Sequence, residues 1–147
     1  MIAIGSDHGG FALKEEIKKH LDKLEIAYID FGTENENSCD YADYAKKVCK
    51  AITSGQCEKG LLFCGTGIGI SMAANKCRGI RAACCSDYFS AKYTRLHNDA
   101  NVLCLGGRVV GSGLADELVD IFLTTAFDGG ERHSRRIAKI HEIENER

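Results

Sequence analysis

The 147-residue sequence contains no proline and no apolar run that approaches the roughly 20 residues needed to cross a bilayer. Without proline, no X–Pro bond can delay folding through slow isomerisation, so the turns and helix ends depend on the 16 glycines. The opening segment, Met1–Gly5, has no basic leader or cleavage signal and is typical of a strand. We therefore expect a cytoplasmic protein without a membrane-spanning segment.

An excess of either charge is also lacking, since the formal net charge is −2. General binding of nucleic acid requires a basic surface, so this balance argues against a nucleic-acid partner. Any anion-binding site must therefore be local. The apolar fraction of 44% and the charged fraction of 27% are ordinary for a globular protein. We expect one domain, residues 1–147, that buries about 70% of the surface of its unfolded chain.

The eight cysteines lack the Cys-x-x-Cys spacing that is typical of metal sites and redox motifs. Cys84 and Cys85 are adjacent within an apolar, strand-like run, and most of the others fall at apolar positions, where a free thiol behaves as a small buried hydrophobe. We therefore predict no structural metal, no disulfide framework and a reducing compartment. The eight positions are 39, 49, 57, 64, 77, 84, 85 and 104.

Strand-like and helix-like segments alternate along the chain. Apolar residues at helical spacing, for example Leu13, Ile17, Leu21 and Leu24, indicate amphipathic helices, and Asp87 is placed to cap the fourth helix. The predicted strands cover residues 1–5, 26–31, 60–64, 80–85 and 102–105. The first four predicted helices cover about 12–24, 42–54, 67–75 and 88–96. The fifth follows residue 108 and has a predicted inner face formed by Leu114, Leu118, Ile121 and Phe122.

This order of elements predicts an α/β fold. Short strands separated by helices form a parallel sheet covered on both faces, which gives a three-layer α/β/α, Rossmann-like single domain with a five-stranded parallel sheet. The last predicted helix, about 132–144, carries a narrow apolar seam formed by Ile137, Ile140 and Ile143. This C-terminal helix either docks on its own domain or reaches a partner subunit, and we adopt the second alternative as the prediction.

The stretch Phe63–Gly69 is the most informative feature of the chain. It places Cys64 where a buried strand gives way to a helix, and a helix that begins there offers unpaired N–H groups and the positive end of its dipole to an anion. The same field favours the thiolate form of Cys64. The stretch lacks the spacing of a dinucleotide site and the Lys-Ser/Thr ending of a nucleotide loop. Cys64 is either an inert core thiol or a reactive one, and its position favours the second interpretation.

Ligands of open α/β sheets bind beyond the carboxyl ends of the strands. This rule brings together Asp7 and His8 after strand one, residues 64–69 after strand three and Gly106–Arg108 after strand five. Taken singly, Asp7 also suits a helix cap and His8 a bond to a neighbouring carbonyl. Together they indicate an enzyme site. Tyr41 begins a predicted helix and suits either this site or the core.

Two arginines of the last helix, Arg132 and Arg136, are four residues apart and share a face, whereas Arg135 points away from it. This pattern is compatible with a solvated basic surface. It is equally compatible with bidentate phosphate binding by planar guanidinium groups.

His97 and Asn98 pose a geometric problem. They end a helix at the amino end of strand five, whereas Cys64 ends strand three at the carboxyl edge. A strand of about five residues spans ~17 Å, so His97 is not expected to reach the Cys64 of its own chain. His97 is therefore either structural or completes a site on another subunit.

The whole chain resembles the sugar-phosphate isomerase family that contains ribose-5-phosphate isomerase B and the galactose-6-phosphate isomerase subunits. The matching segments occur in family order over nearly all of the sequence, and as a set they are specific. They are Gly5–Phe11, Asp40–Tyr41, Cys64–Gly69, Ala73–Lys76, Gly79–Ala82, His97–Asn101, Gly107–Gly111 and the pair Arg132 and Arg136.

The resemblance implies interconversion of D-ribose 5-phosphate and D-ribulose 5-phosphate through an enediolate, with no metal and no organic cofactor. It implies that Cys64 is the base, because residues 70–74 lack the glutamate that other members use in that role. It also implies that His97 helps to open the furanose ring, while Asp7 and Thr66 position sugar oxygens. The implied substrate-binding residues are Asp7, His8, Tyr41, Gly65, Thr66, Gly67, Ile68, Gly69, Asn98, Arg108, Arg132 and Arg136.

The resemblance further implies a homodimer, or a dimer of dimers, with sites shared between subunits, and a role in the non-oxidative pentose phosphate pathway. A hexose 6-phosphate such as allose 6-phosphate or galactose 6-phosphate stays open as the substrate, because one hydroxymethylene unit is worth only about 1–3 kcal/mol of discrimination. A non-catalytic sugar-phosphate-binding module is a competing interpretation. A thiol redox protein is disfavoured, because Cys64 has no evident resolving partner nearby in sequence.

Overall fold

The computed structural model describes residues 1–146, in which five strands alternate with helices and two helices end the chain. The strands are β1 (Ile2–Ser6), β2 (Tyr28–Asp30), β3 (Lys59–Cys64), β4 (Ala82–Cys84) and β5 (Val102–Gly106). The helices are α1 (Phe11–Lys23), α2 (Tyr41–Thr53), α3 (Ile68–Ala74), α4 (Tyr88–Asn98), α5 (Ser112–Thr124) and α6 (Glu131–Asn145). Within the described residues, no helix combines the length and the apolar character that a membrane span requires.

All five strands are parallel and lie in the order β2-β1-β3-β5-β4. The register places Ile4 beside Leu61 and Leu61 beside Leu103, and the three central strands are buried except at the half-buried Lys59, which begins β3. The chain builds outward from β1 to β2 and then returns to add β3 on the other side. The switch point between β1 and β3 is where a sheet of this kind leaves a crevice for ligands. The predicted α/β architecture is confirmed.

The core has two halves, one on each face of the sheet. On one face, α1, α4 and α5 bury residues such as Ile17 and Phe122 against Phe63 and Leu105. On the other face, α2 and α3 bury a second cluster that includes Val48. The sheet is therefore covered on both sides, as its nearly continuous apolar strands require.

Several details differ from the predictions. Leu24 ends the α1 pattern in sequence but is 47% exposed, because the helix stops at Lys23. Leu114 was predicted to face inward from α5 but is 38% exposed, because it lies in the first turn, beyond the edge of the core. Strand β4 is an edge strand of only three residues. Asp87 does cap α4, where its side chain accepts a hydrogen bond from the Ser90 N–H.

Helix α6 lies outside the two core clusters, and none of its residues is buried. Ile140 and Ile143 are 45% and 58% exposed, and a cavity of about 600 Å³ separates them from the segment 75–82. Polar contacts hold the helix in place, among them a 2.7 Å bond from the Gly79 N–H to Glu144 Oε1. The apolar seam of α6 is therefore only partly covered by the described part of its own chain.

Candidate active site

The loops that follow β3 and β5 are tied together at the carboxyl edge of the sheet. The Gly107 N–H donates to the Cys64 carbonyl at 2.8 Å, and the Arg108 N–H donates to the Gly65 carbonyl at 3.0 Å. The loop after β1 joins them, because the Asp7 N–H donates to a carbonyl of β3 at 3.1 Å. Backbone hydrogen bonds thus fix three strand ends relative to one another.

Two glycines allow this close approach. A Cβ atom on Gly106 would lie 2.6 Å from the carbonyl carbon of Thr66, and a Cβ atom on Gly10 would overlap the backbone of Phe63. Real Cβ atoms do not approach a backbone so closely, so any larger residue at either position would push the loops apart. The glycine-rich turns therefore serve to pack the site.

Cys64 ends β3 with its side chain only 4% exposed. Its Sγ accepts a hydrogen bond from the Gly67 N–H at 3.1 Å, and Gly67 has a φ of +77°, which favours glycine. Thr66 Oγ1 accepts the N–H of Ile68 at 3.2 Å. The predicted turn forms, but two of its N–H groups are already bonded within it, one of them to the sulfur. An N–H directed at sulfur stabilises negative charge on that atom.

Asp7 and His8 are held by backbone N–H groups from different loops. Asp7 Oδ1 accepts the Gly10 N–H at 3.1 Å, and the Cys39 N–H donates to His8 Nδ1 at 3.2 Å. Because Nδ1 is the acceptor, the network assigns the proton of neutral His8 to Nε2. His8 can therefore offer an Nε2–H to a ligand.

These groups share a cavity of about 760 Å³, which we call the Cys64 cavity. Tyr41 begins α2 and lies over the start of α3, where a Cβ atom on Gly69 would come within 2.9 Å of its ring. Gly67 and Ile68 bond within the turn and do not line the cavity. The lining residues are Asp7, His8, Ser38, Cys39, Asp40, Tyr41, Ala42, Asp43, Cys64, Gly65, Thr66, Gly69 and Arg108.

The charge of the Cys64 cavity is poorly matched to a phosphate. Asp7, Asp40 and Asp43 face a single arginine, Arg108, with His8 as the other basic group. A phosphate dianion is best held by several charge-assisted donors, so a cavity with three carboxylates needs further cations. The predicted phosphate-binding arginines of α6 do not line it.

His97 and Asn98 line a different cavity of about 430 Å³, which we call the His97 cavity. It lies between α4, the end of β4 and the start of α6. Its lining residues are Ala83, Cys84, Cys85, Phe89, Ser90, Tyr93, Thr94, His97, Asn98, His133 and Arg136.

Within residues 1–146, the Cys64 cavity and the His97 cavity have no lining residue in common. Arg136 lines the His97 cavity, but Arg132 lines a third, shallow cavity together with Arg135. Arg132 and Arg136 therefore line two different cavities, which have His133 in common. All three arginines are exposed, so the first turns of α6 present positive charge to the surroundings.

A model of the ribose/galactose isomerase family matches residues 2–140. The chain belongs to this family. Ribose-5-phosphate isomerase B of Escherichia coli is 49% identical over 146 residues, which cover 99% of this chain and 97% of that protein. The family and its relatives make the chain an enzyme, an aldose–ketose isomerase.

Solved structures support the same assignment. A ribose-5-phosphate isomerase B from Clostridium thermocellum has a TM-score of 0.96 at 53% identity, over 99% of this chain and 97% of that chain. A ribose-5-phosphate isomerase B from Mycoplasma genitalium with bound ribulose-5-phosphate has a TM-score of 0.93 at 40% identity, again over 99% and 97% of the two chains. The isomerase fold therefore extends over essentially the whole chain.

Some cavity residues of this isomerase were not predicted from sequence. Ser38, Cys39 and Asp43 line the Cys64 cavity and flank the matching pair Asp40–Tyr41, but they belong to no motif themselves. Their place in the fold could have indicated them, because the loop after β2 leaves the sheet at the same carboxyl edge as Asp7. His133 lines the His97 cavity, and no motif in the sequence around it indicates this position.

Proposed function

We propose that this isomerase interconverts D-ribose 5-phosphate and D-ribulose 5-phosphate in the non-oxidative pentose phosphate pathway. The observation that carries the proposal is the placement of Cys64 Sγ in a ligand-sized cavity, 3.1 Å from a backbone N–H and beside the polar ends of three strands. The names of the relatives support the choice of substrate, and one of them binds ribulose-5-phosphate.

Cys64 acts as the base in the proposed reaction. Its thiolate removes the proton from C2 of the open-chain aldose and returns a proton to C1, and an enediolate forms between the two steps. The proton of the O2 hydroxyl is transferred to O1, so that C2 becomes the carbonyl of the ketose. The Gly67 N–H bond favours the thiolate that begins the cycle. The reaction moves hydrogen between neighbouring carbons of one molecule, so it needs no external electron acceptor.

Asp7 and Thr66 position the sugar oxygens. Asp7 Oδ1 is engaged by a backbone N–H, which leaves Oδ2 to accept a sugar hydroxyl. Thr66 Oγ1 already accepts the Ile68 N–H, so its own O–H can donate to the oxygen that develops charge. Gly65 and Gly69 form part of the cavity wall against which this oxygen lies.

Two subunits supply the complete site in this proposal, because the Cys64 cavity lacks the cations that a phosphate needs. His8 and Arg108 come from one subunit, and Arg132, Arg136, Asn98 and the ring-opening His97 come from its partner. Tyr41 forms the wall of the Cys64 cavity at the end that holds the sugar. Exposed apolar side chains could be buried in such a dimer interface. They include Ile68, Met72, Phe89, Val109 and Ile143. A dimer of dimers is compatible with the same arrangement.

Incubation of the protein with ribose 5-phosphate in heavy water, followed by NMR, tests the proposal. We expect ribulose 5-phosphate to form with deuterium at C1, because the proton on the base exchanges with solvent. Binding without turnover or deuterium entry would identify a binding module instead. Parallel incubations with allose 6-phosphate and galactose 6-phosphate test the substrate, and faster turnover of either hexose phosphate would overturn the assignment to ribose.

A further inference from the structure

The imidazole of His97 is held between two other rings. Phe89, Tyr93 and His97 follow one another at four-residue spacing on one face of α4. Phe89 stacks on Tyr93 with ring centroids 4.1 Å apart, and the rings of Tyr93 and His97 form a T-shaped contact at 4.9 Å. His97 also stacks on His133 of α6 at 4.1 Å, with 28° between the planes. A ring that packs against two neighbouring rings has little freedom to rotate.

The four rings form one column along α4 and the start of α6, and Asp128 contacts the last of them, His133. Its Oδ2 lies 2.8 Å from His133 Nδ1, and its Oδ1 accepts the Gly130 N–H at 2.8 Å. These bonds, the Gly130 N–H first and His133 second, hold the pKa of Asp128 below its usual value, so the carboxylate is charged. A charged carboxylate at Nδ1 fixes the proton of His133 on that nitrogen.

The loop that carries Asp128 is itself fastened to α4. The Asp128 N–H donates to the Leu96 carbonyl at 3.2 Å, and Arg95 Nε donates to the Thr125 carbonyl at 3.1 Å. Asp128 is therefore positioned relative to the same helix end that carries His97. Contacts therefore connect the carboxylate to His133, His133 to His97, and the Asp128 backbone to the end of α4 that carries His97.

We propose that Asp128 and His133 are positioning residues for His97: Asp128 fixes the tautomer and plane of His133, and the His133 ring holds His97 in the orientation that opens the sugar ring. The proposal rests on the proposed function of His97. The column is not needed for the core, since Phe89 is 66% exposed and Asp128 is exposed.

A divalent metal is the competing occupant for His97, Asp128 and His133, whose ligand atoms lie within 4.8 Å of one another. The ring geometry disfavours it. Imidazoles that share a metal direct their nitrogen lone pairs at one centre, whereas these rings lie nearly parallel and His133 Nδ1 already faces a carboxylate. Stacking and metal binding therefore require different arrangements of the same side chains.

Asp128→Asn and Asp120→Asn form a matched pair for the test. Asp120 Oδ1 pairs with His20 Nε2 at 2.7 Å on α1 and α5, away from both cavities, so Asp120→Asn removes the same kind of pair elsewhere. For Asp128→Asn we expect turnover at saturating ribose 5-phosphate to fall roughly 10- to 100-fold, as for a misplaced catalytic group. Deuterium exchange at C1 of ribulose 5-phosphate should stay within about twofold of wild type, because this acyclic ketose needs no ring opening. Asp120→Asn should leave both rates unchanged.

Two variants of His133 separate stacking from hydrogen bonding. His133→Phe keeps a flat ring against His97 and should retain more turnover than His133→Ala, which removes the ring. Equal turnover of the two variants, or a parallel loss of C1 exchange in Asp128→Asn, would overturn the positioning role.

A readout that does not depend on activity distinguishes this proposal from the proposed function. Nitrogen-15 NMR of the imidazoles should show changed His97 and His133 signals in Asp128→Asn and unchanged signals in Asp120→Asn. Unchanged His97 signals in Asp128→Asn would overturn the positioning role. A wild-type protein without isomerase activity would overturn the proposed function, whereas the NMR comparison would still test the contact. A wild-type His97 signal that shifts on addition of stoichiometric Zn²⁺ would favour the metal and overturn the stack.

Discussion

The Cys64 cavity and the His97 cavity are built by different means. Backbone bonds and glycine contacts among three strand ends form the first, whereas side chains stacked along one helix form the second. Their sulfurs differ as well. Cys64 Sγ accepts a backbone N–H, whereas burial, helped by nearby negative charge, raises the pKa of Cys85 in the His97 cavity to about 12. In the proposed function, the first cavity supplies the base, and the second supplies an imidazole and an arginine.

In the proposed function, this difference explains why two subunits are needed for one complete site. Cys64, the proposed base, lies at the carboxyl edge of the sheet, and His97 lies at the far end of α4 in a cavity that shares no lining residue with the first. In a symmetric dimer, each chain can lend its His97 cavity to the Cys64 cavity of the other. The experiments below test this division, from the largest expected effect to the smallest.

Replacing Cys64 by alanine should have the largest effect. We expect turnover of ribose 5-phosphate to fall about 10²- to 10⁴-fold, the range for loss of a general base, with the circular-dichroism spectrum unchanged. Cys57→Ala is the matched control, because Cys57 is also 4% exposed but lines neither cavity. Near wild-type turnover in Cys64→Ala would show that the base has been misassigned.

Mixing two inactive proteins should restore activity. Cys64→Ala and His97→Ala subunits, unfolded and refolded together, give heterodimers in which one of the two shared sites is intact. Random pairing predicts recovery of about a quarter of wild-type activity. Each variant refolded alone is the control. If verified heterodimers gain no activity over these controls, the two cavities do not form a shared site.

Single arginine substitutions on α6 should show which guanidinium group contributes to substrate binding. We expect Arg136→Ala to raise KM for ribose 5-phosphate about 10- to 100-fold, because a hydrogen bond to a charged group is worth about 1.5–3 kcal/mol. Arg135→Ala removes the same charge from the same helix, but the proposed function does not place Arg135 at the phosphate, so KM should change by less than about threefold. Equal increases in KM would indicate that only the overall charge of α6 matters.

The smallest effect on activity is expected for Asp30→Asn, outside both cavities. Lys14 is buried and donates to Asp30 at 2.6 Å and 2.8 Å. Burial acts to raise the pKa of Asp30, but the hydrogen bonds from Lys14 and Lys18 outweigh it and keep the pKa below the usual 3.8. Breaking this pair should lower the free energy of unfolding by about 3 kcal/mol at neutral pH and leave the turnover of folded protein unchanged.

Urea unfolding at several pH values checks this prediction. A carboxyl group whose pKa is lowered on folding stabilises the protein above its unfolded pKa, and the stabilisation is lost as pH falls through the folded pKa. The difference between wild type and Asp30→Asn should therefore shrink below pH 3.8. Glu16→Gln, which breaks an exposed pair with Lys19, should cost less than about 1 kcal/mol. A stability difference for Asp30→Asn that is constant with pH would contradict the assigned pair.

Much of the fold follows from local pattern. The strands and helices were predicted to within a few residues because apolar periodicity and glycine punctuation agree along the chain. Leu24 and Leu114 show where the pattern fails, since periodicity continues past the point at which the core ends. The site was predicted in part by one topological rule, which places Asp7, His8 and Cys64 at the same edge.

The long-range side-chain contacts around the two cavities could not be predicted from local sequence patterns. Nothing in the spacing of residues 128 and 133 indicates that the loop before α6 folds back on α4 and stacks His133 on His97. The contribution of Asp40 and Asp43 to the Cys64 cavity was not predicted either, because Asp40 precedes α2 and Asp43 lies in its first turn, where sequence alone does not say which cavity a side chain lines.

The sequence by itself determined the α/β layering, the position of Cys64 at the carboxyl end of β3 and the position of His97 before the amino end of β5, because each depends on short-range periodicity. Only the tertiary structure decided which side chains share a cavity, which N–H reaches the sulfur and which ring holds His97. These contacts join residues far apart in the chain, and they exist only once packing of the core has brought the loops together.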